Sequence, residues 1–433
     1  MSEEPREIAV LEECLESVID YRGKTPPKSP SGIPTITAAN IKSGRINMST
    51  VSYVSEETYR AWTSRGFPQA GDVLITTEAP VGEVAPFPGD QTYLITRRVF
   101  AMRGKKSVLD SNYLLYTCLS PVVQDELASR IRGSTVPRVL KTDILGLRIP
   151  LPPLPEQRAI AHVLGTLDDK IELNRKTNET LEAMARALFQ SWFVDFDPVR
   201  AKAEGRPTEL PDAISELFPD SFEESELGEI PKGWRNNEIQ NVADLNPDNW
   251  CSGNQPLRIR YLDLSSVKQG RIDNLEEYEW EDAPSRARRI LKAGDTVVGT
   301  VRPGNGSYCL VGEDGITGST GFAVLRPKSM NDSAFVYLAT CSKENIDRLA
   351  HLADGGAYPA VKPEVVAQTP VVIATRQVLD CFSTYAFPLF TSAGRAEQET
   401  IVLCKIRDAL LPKLISGELR IPEAEKLLEQ AGV

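Results

Sequence analysis

Histidine is almost missing from this chain: 433 residues hold only His162 and His351. Catalytic triads and multi-histidine metal sites need imidazoles at the reacting centre, so both chemistries are effectively excluded. No Gly-x-x-x-x-Gly-Lys-[Ser/Thr] run is present, which removes a P-loop. The seven cysteines are scattered, without a Cys-x-x-Cys pair. That pattern predicts reduced, mostly buried thiols and a cytoplasmic protein, not a disulfide framework. No window approaches the roughly 18 consecutive apolar residues of a membrane span. The acidic Met1-Ser2-Glu3-Glu4 start lacks the apolar stretch of a signal peptide.

Other fragments of chemistry are incomplete. Gly304-Asn305-Gly306 follows a strand-like run and reads as a hairpin turn, not a cofactor loop. Asn246-Pro247-Asp248-Asn249-Trp250 is similar to the Asn/Asp-Pro-Pro-aromatic motif of amino-methyltransferases. It lacks the second proline, and no methyl-donor-binding glycine segment precedes it, so it too reads as a turn. Glu276, Glu277 and Glu279 form no pair spaced for acid/base work. No metal site and no catalytic set is expected.

The formal net charge of −11 argues against a nucleic-acid partner only as a total. Between Arg22 and Pro153 there are 17 Lys/Arg against 10 Asp/Glu, while Glu209 to Glu229 is strongly acidic. A local cationic surface decides phosphate attraction, and on charge alone a merely solvated face is an equal reading.

What the chain does have is a duplication. Gly44-Arg45-Ile46-Asn47 returns as Gly270-Arg271-Ile272-Asp273, and Gly71 to Thr76 returns as Gly294 to Thr300, which aligns Thr76 with Thr300. Phe100-Ala101-Met102-Arg103 returns as Phe322 to Arg326. Gly133 to Lys141 returns as Gly355 to Lys362, with Pro137 and Pro359 in the same place. Order is kept at an offset near ~220 residues, far longer than a solenoid period. Two related units could read two different things.

Within the first copy, Ile33 to Ile36, Asp72 to Ile75 and Arg98 to Met102 look like short strands, and Ser111 to Arg130 like one helix. After the proline-rich stretch Pro150 to Pro155 the texture changes. Ile160, Leu167, Leu181 and Leu188 share one heptad position with Asn174; Leu164, Ile171, Ala185 and Trp192 share the other with Asn178. This predicts a helix over Glu156 to about Phe193, about 38 residues or roughly 57 Å at 1.5 Å per residue, which must pair with another. Leu379, Phe382, Leu389, Leu403, Leu410 and Leu414 supply the partner stripe, with a kink or break expected near 388–395 from Pro388 and Gly394. The two asparagines are either a buried register device or exposed near a frayed crossing. The resulting expectation is an α+β chain: two repeated globular domains of small mixed β-sheets with helices, separated by two long helices forming an antiparallel coiled coil. Its boundaries are 1–153, a long helix 154–195, an acidic linker 196–226 with a short helix at 212–218, 227–374, and a distal helix with tail 375–433, the tail itself helical from Ile421.

Several segments resemble type I restriction-modification specificity subunits. Ile149 to Ile160, with Pro155-Glu156-Gln157-Arg158 at its centre, looks like the start of that family's central conserved region, and Leu164 to Lys170 and Leu188 to Phe193 continue it. Leu410 to Leu419 resembles the distal conserved segment. Tyr21-Arg22-Gly23-Lys24-Thr25-Pro26-Pro27 and Gly228-Glu229-Ile230-Pro231-Lys232-Gly233-Trp234 resemble the openings of the two target-recognition domains. The second copy has Thr375-Arg376-Gln377 in place of Pro-Glu-Gln-Arg. The resemblance implies a non-catalytic subunit that reads double-stranded DNA at a bipartite asymmetric site, one domain per half. It implies helices that hold the readers apart and dock two methyltransferase subunits, and recruitment of two restriction/translocase subunits. S-adenosylmethionine and ATP would then sit on the partners.

Candidate DNA-contacting residues in the first copy are Lys42, Arg45, Thr76, Thr77, Arg97, Arg98, Arg132, Ser134, Thr135 and Arg138. In the second they are Lys268, Arg271, Arg302, Asn305, Ser319, Thr320 and Tyr358. Each could equally be solvated or stabilise a turn. Residues shared by the copies suit phosphate or scaffold roles, whereas base choice belongs to positions that differ, such as Arg97 and Arg98 against Gly318 to Thr320. Two other readings stand beside this one: a methyltransferase with fused recognition domains, and a coiled-coil scaffold that binds only protein.

Overall fold

The computed structural model describes residues 6–21, 25–226, 228–356 and 358–431. Arg22, Gly23 and Lys24 of the first opening motif lie outside them. The chain divides into two compact units, residues 1–173 with 399–433 and residues 174–398. Two long helices, Leu154–Phe189 and Arg376–Ser416, each contribute a segment to both units.

In the first unit, an antiparallel sheet has the order Leu15–Asp20, Val99–Gly104, Val73–Thr77, Val81–Pro86. A smaller sheet places Ile33–Ile36 between Tyr53–Val54 and a parallel Leu94–Ile95. The helix expected over 111–130 is two helices, Ser111–Leu119 and Pro121–Ser129. Pro121 cannot donate to the preceding turn and instead opens a new helix, with Ser120 extended before it. Ile8–Val10 pairs with Arg148–Pro150 just ahead of the first long helix.

That helix buries Ile160, Leu164, Leu167 and Ile171 against Leu403, Leu410 and Leu414 of the second long helix. Arg407 donates to Asp168 at 2.8 Å and Lys170 pairs with Glu399 at 3.3 Å, so the numbering runs antiparallel. The Pro-Glu-Gln-Arg motif has a structural use here. Gln157, buried, accepts from the Asp110 N–H and donates to the Val108 and Pro152 carbonyls. Glu156 holds Arg6, which donates to the Leu414 and Ile415 carbonyls at the end of the second long helix. Gly417, at φ +87, then ends that helix, and Ile421–Ala431 forms the tail helix.

The second unit repeats the plan. Ala243–Leu245, Phe322–Pro327, Thr296–Gly299 and Tyr308–Leu310 form the antiparallel sheet in the same order. The second sheet again has a parallel pair, Arg258–Leu262 with Ile316–Ser319, flanked by Glu276–Glu279 and Ala287–Leu291. Arg235–Glu238 zips with Pro370–Ile373 ahead of the second long helix. Its core gathers Phe189, Trp192, Phe193, Phe196, Phe218, Trp234, Phe335 and Phe382. Phe193 and Phe382 meet edge to face at 5.0 Å between ring centroids. Leu379 is buried with them, while Leu181, Leu188 and Leu389 are half-buried.

Two expectations need correction. Of the kink or break expected near 388–395, the break does not occur: the second long helix continues through Pro388 and Gly394. A proline removes one N–H from the ladder, and the buried stripe of Phe382 and Ala386 before it and Leu403 after it holds the helix. Residues 196–226 are not a free linker: they form the helices Asp197–Ala203 and Asp212–Ser215 and the strand Phe222–Ser225, which pairs with Gly228–Pro231, and bury Phe196, Val199 and Phe218. The first long helix has the expected extent: Leu154–Phe189 is α-helical and Gln190–Val194 continues it as a wider π turn. Of the two asparagines, Asn174 is buried, and Asn178 is half-buried and donates to Glu397 at 3.3 Å.

Candidate nucleic-acid interface

Hydrogen bonds fix how the copies correspond. In the first unit Thr77 N–H donates to the Arg98 carbonyl at 2.9 Å, and the Thr77 carbonyl accepts from Val139 N–H at 3.0 Å. In the second, Thr300 N–H donates to the Gly321 carbonyl at 2.8 Å and its carbonyl accepts from Val361 N–H at 2.9 Å. Thr77, not Thr76, is therefore the counterpart of Thr300. Val99, not Phe100, matches Phe322, since they face Thr76 and Gly299 across equivalent strands. Arg98 corresponds to Gly321 and Arg97 to Thr320.

These threonines anchor a short finger in each unit. In the first, Arg132 and Arg138 pair through their backbones across Gly133 to Pro137, and Glu78 pairs with Arg138. In the second, Asp354 pairs with Ala360 around residues 355–359, and Val301 pairs with Ala360. Gly133 and Gly355 have φ of +89 and +119, where a Cβ would meet the Val136 carbonyl oxygen at 2.8 Å and the Tyr358 carbonyl oxygen at 3.1 Å. Only glycine suits that turn.

At the other end of the strands that lead to each finger lies an ion pair that no motif in the sequence marks. Arg103 donates through Nε and a terminal nitrogen to the two Asp72 oxygens, both at 2.7 Å, and Gln69 N–H adds a third bond. Arg326 holds Asp295 in the same bidentate way at 2.9 Å, Lys292 N–H adds a bond, and Asp248 is a second carboxylate on Arg326. Hydrogen bonding to the carboxylates raises both guanidinium pKa values above the ordinary arginine value. The signal was present: Asp72 with Arg103 and Asp295 with Arg326 recur in both copies.

The candidates separate on these frames. Arg97, Arg132, Ser134, Thr135 and Arg138 are exposed together on or beside the first finger. Arg132 also meets Asp143 at 3.1 Å, and Arg98 is held by Glu78 at 2.7 Å. Thr76 and Thr77 are buried, with the Thr76 hydroxyl accepting from Glu83 N–H and the Thr77 hydroxyl donating to the Arg98 carbonyl. Lys42 is exposed on the hairpin Ile41–Lys42 with Arg45–Ile46, whereas Arg45 reaches Glu172 of the long helix at 3.1 Å.

In the second unit, Arg302, Asn305, Thr320 and Tyr358 are exposed. Ser319 is buried, its hydroxyl accepting from Gly321 N–H. Lys268 and Arg271 are exposed on the equivalent hairpin, whose Gln269 N–H donates to the Gly306 carbonyl at 2.7 Å. That bond sets them beside the turn bearing Arg302 and Asn305. Gly304-Asn305-Gly306 is this turn, joining two antiparallel strands.

Three further arginines, Arg286, Arg288 and Arg289, lie on or next to the strand Ala287–Leu291. Arg288 lies 5.0 Å over the Trp280 ring and Arg289 donates to Asn249. The run of arginines was a visible signal, masked by Glu281 and Asp282 just before it. Among the described residues no group of histidine, cysteine or carboxylate side chains is placed to hold a metal, and no helix is long and apolar enough to cross a membrane. Cys118 and Cys309 are buried thiols pushed up to about 12 by burial, so they are unreactive.

Comparison with known proteins agrees with this arrangement. Residues 13–183 match the type I restriction modification DNA specificity domain. The chain is 26% identical over 387 residues to the MjaIX type I restriction enzyme specificity subunit of Methanocaldococcus jannaschii, covering 86% of this chain and 82% of that one. It is 22% identical over 380 residues to the HindI specificity subunit of Haemophilus influenzae, covering 76% and 81%. The fold matches that of the S subunit of a type I restriction-modification system from M. genitalium, with a TM-score of 0.57 at 14% identity over 94% of this chain and 96% of that one. In its residue motifs, its duplicated architecture and these likenesses the chain is similar to type I restriction-modification specificity subunits, and residues 13–183 carry their DNA specificity domain.

Proposed function

We propose that the chain is the non-catalytic DNA-reading subunit of a type I restriction-modification complex, each unit reading one half of a bipartite site. The observation that carries this is the repeated frame with unlike fingers. Asp–Arg pair, threonine anchor, glycine and proline recur, while the exposed side chains on that frame differ. Bases are read by side chains at groove edges, and phosphates by cations around them, so a constant frame with variable tips suits two different half-sites. The net charge of −11 is no obstacle, because local charge decides phosphate attraction, and exposed cations stand at the first finger (Arg97, Arg132, Arg138), at the root of the second (Arg302) and on the hairpins (Lys42, Lys268, Arg271).

In this reading the long helices dock two methyltransferase subunits, and two restriction/translocase subunits join for cleavage. S-adenosylmethionine and ATP bind on those partners, and the complex works in the cytoplasm. A base to be methylated must leave the duplex stack, which is work for the methyltransferase subunits. The test is a genome-wide map of N6-methyladenine in a host expressing this chain with its neighbouring methyltransferase subunit, against the methyltransferase alone. A bipartite motif appearing only with the chain is the expected result. If the two proteins co-purify and no motif appears, DNA reading is refuted and a protein-only scaffold takes its place.

A further inference from the structure

The matched frames expose a place at the root of the finger where the second unit has a cation and the first has none. Ala79 precedes Pro80 and has φ +43; Arg302 precedes Pro303 and has φ +48. Both follow the residue that pairs with the finger, Glu78 with Arg138 and Val301 with Ala360. They are therefore the same position, a left-handed residue at the root of the finger. Positive φ is uncommon for a side chain as large as arginine and marks a site where something other than backbone economy chose the residue.

Arg302 is also held. Its N–H donates to the Pro359 carbonyl at 2.7 Å and its carbonyl accepts from Asn305 N–H at 2.8 Å. Its guanidinium lies over the Tyr358 ring at 4.6 Å from the centroid. Tyr358 is 71% exposed, so the stacked pair stands at the surface. At the matching finger position the first unit has Val136, which cannot stack a guanidinium in this way. Conversely, the first finger carries Arg132 and Arg138 where the second has Asp354 and Ala360.

We propose that Arg302, held over Tyr358, is a specificity-determining residue that reads a guanine in the half-site taken by the second unit. This rests on the reading of the chain as a DNA-specificity subunit. Arginine to guanine O6 and N7 is the commonest bidentate contact in the major groove, and its discrimination depends on the fork being presented in one orientation. The Tyr358 ring and the pinned backbone supply that orientation before DNA arrives, which lowers the ordering cost of the contact. A phosphate contact would need only charge, and Lys268 and Arg271 already stand on the neighbouring hairpin.

The experiment selects duplexes from a randomised library with the full-length chain, purified with its methyltransferase subunit, as wild type, R302G and Y358L. Competition on the selected duplex and its single-base variants follows. Glycine accepts φ +48 without strain, so R302G keeps the fold and the thermal melting temperature serves as the check. The expected result is a bipartite wild-type motif with a guanine at one position of one half. In R302G that guanine preference falls by about 5- to 150-fold, and the rest of the motif stays. Y358L lowers the preference at the same position by a smaller factor. A motif left unchanged by R302G overturns the proposal while the DNA-reading function stands. So does a loss of affinity spread evenly over all sequences with a shallower salt dependence, the behaviour of a phosphate contact. If wild type selects no motif, the specificity reading itself fails and the proposal falls with it.

Discussion

Replacing Asp72 by alanine tests whether the buried ion pair holds up the finger-bearing sheet of the first unit. The Asp72 side chain is 3% exposed and Arg103 16%, and each carboxylate oxygen is 2.7 Å from a guanidinium nitrogen. Removing one partner of a buried pair strands the other charge and costs roughly 3–5 kcal/mol. For a unit of this size one kcal/mol moves the melting temperature by about 2–4 °C, so D72A is expected to lower it by about 6–20 °C. The equivalent D295A should cost less, because Arg326 keeps Asp248 as a partner. Adding R103M to an Asp72→Leu change replaces the pair by apolar groups and is expected to recover most of the loss. The assay is calorimetric melting of the full chain, with amide exchange on Val73–Thr77 and Val99–Gly104 to assign the transition to the first unit. An unchanged melting temperature in D72A, or a double variant as unstable as the single one, would refute the claim that this pair supports the sheet.

Two further outcomes follow from local geometry. Gly133→Ala forces a side chain into φ +89 with its Cβ 2.8 Å from the Val136 carbonyl oxygen, a strain of about 1–3 kcal/mol confined to the finger. Trypsin should then cut after Arg132 and Arg138 faster than in wild type while the melting temperature barely moves; unchanged cleavage would mean that the turn tolerates alanine. Glu182 is raised above its ordinary value of 4.5, chiefly by burial, with Arg186 and Arg271 opposing that effect and Glu397 adding to it. A raised carboxyl favours its protonated form in the folded chain. Its destabilising contribution is therefore absent below 4.5 and grows as pH rises through the raised value. Melting of the second unit should fall with pH across that window in wild type and lose this component in E182Q; identical pH profiles would contradict it.

The sequence disclosed the duplication and the long helices because both rest on local, repeated signals. Gly44 and Gly270 recur because each sits at positive φ in the same hairpin, and Ile160 to Ile171 recur at heptad spacing because all four are buried on one stripe. What it missed depends on contacts between distant residues. The strand register slipped by one because Thr76 and Thr300 look alike in a row of letters, and only the bonds to Arg98 and Gly321 show which threonine is which. Residues 196–226 read as linker because Phe196, Val199 and Phe218 have no period, yet each fills the second unit's aromatic core. As polar residues beside glycines and charged groups, Thr76, Thr77 and Ser319 look like loop residues in the sequence. They lie instead within or at the ends of buried strands, where a hydroxyl is needed to satisfy backbone groups.

The two units divide their residues between frame and tip in a way that bears on how specificity can change. Frame residues are mutually dependent: Asp72 needs Arg103, Thr77 needs Arg98 and Val139, and Gly133 needs the Val136 carbonyl where it is. Substitutions among them couple, because neighbours in one network are not additive. Tip residues such as Ser134, Thr135 and Tyr358 are exposed, and substitution there is expected to stay within about 0.5 kcal/mol of stability. A unit built this way can exchange the base it reads at little cost to folding. It can also do so without consulting its counterpart, since Arg302 and the Tyr358 ring it lies over belong to one unit, and Ala79 and Val136 to the other.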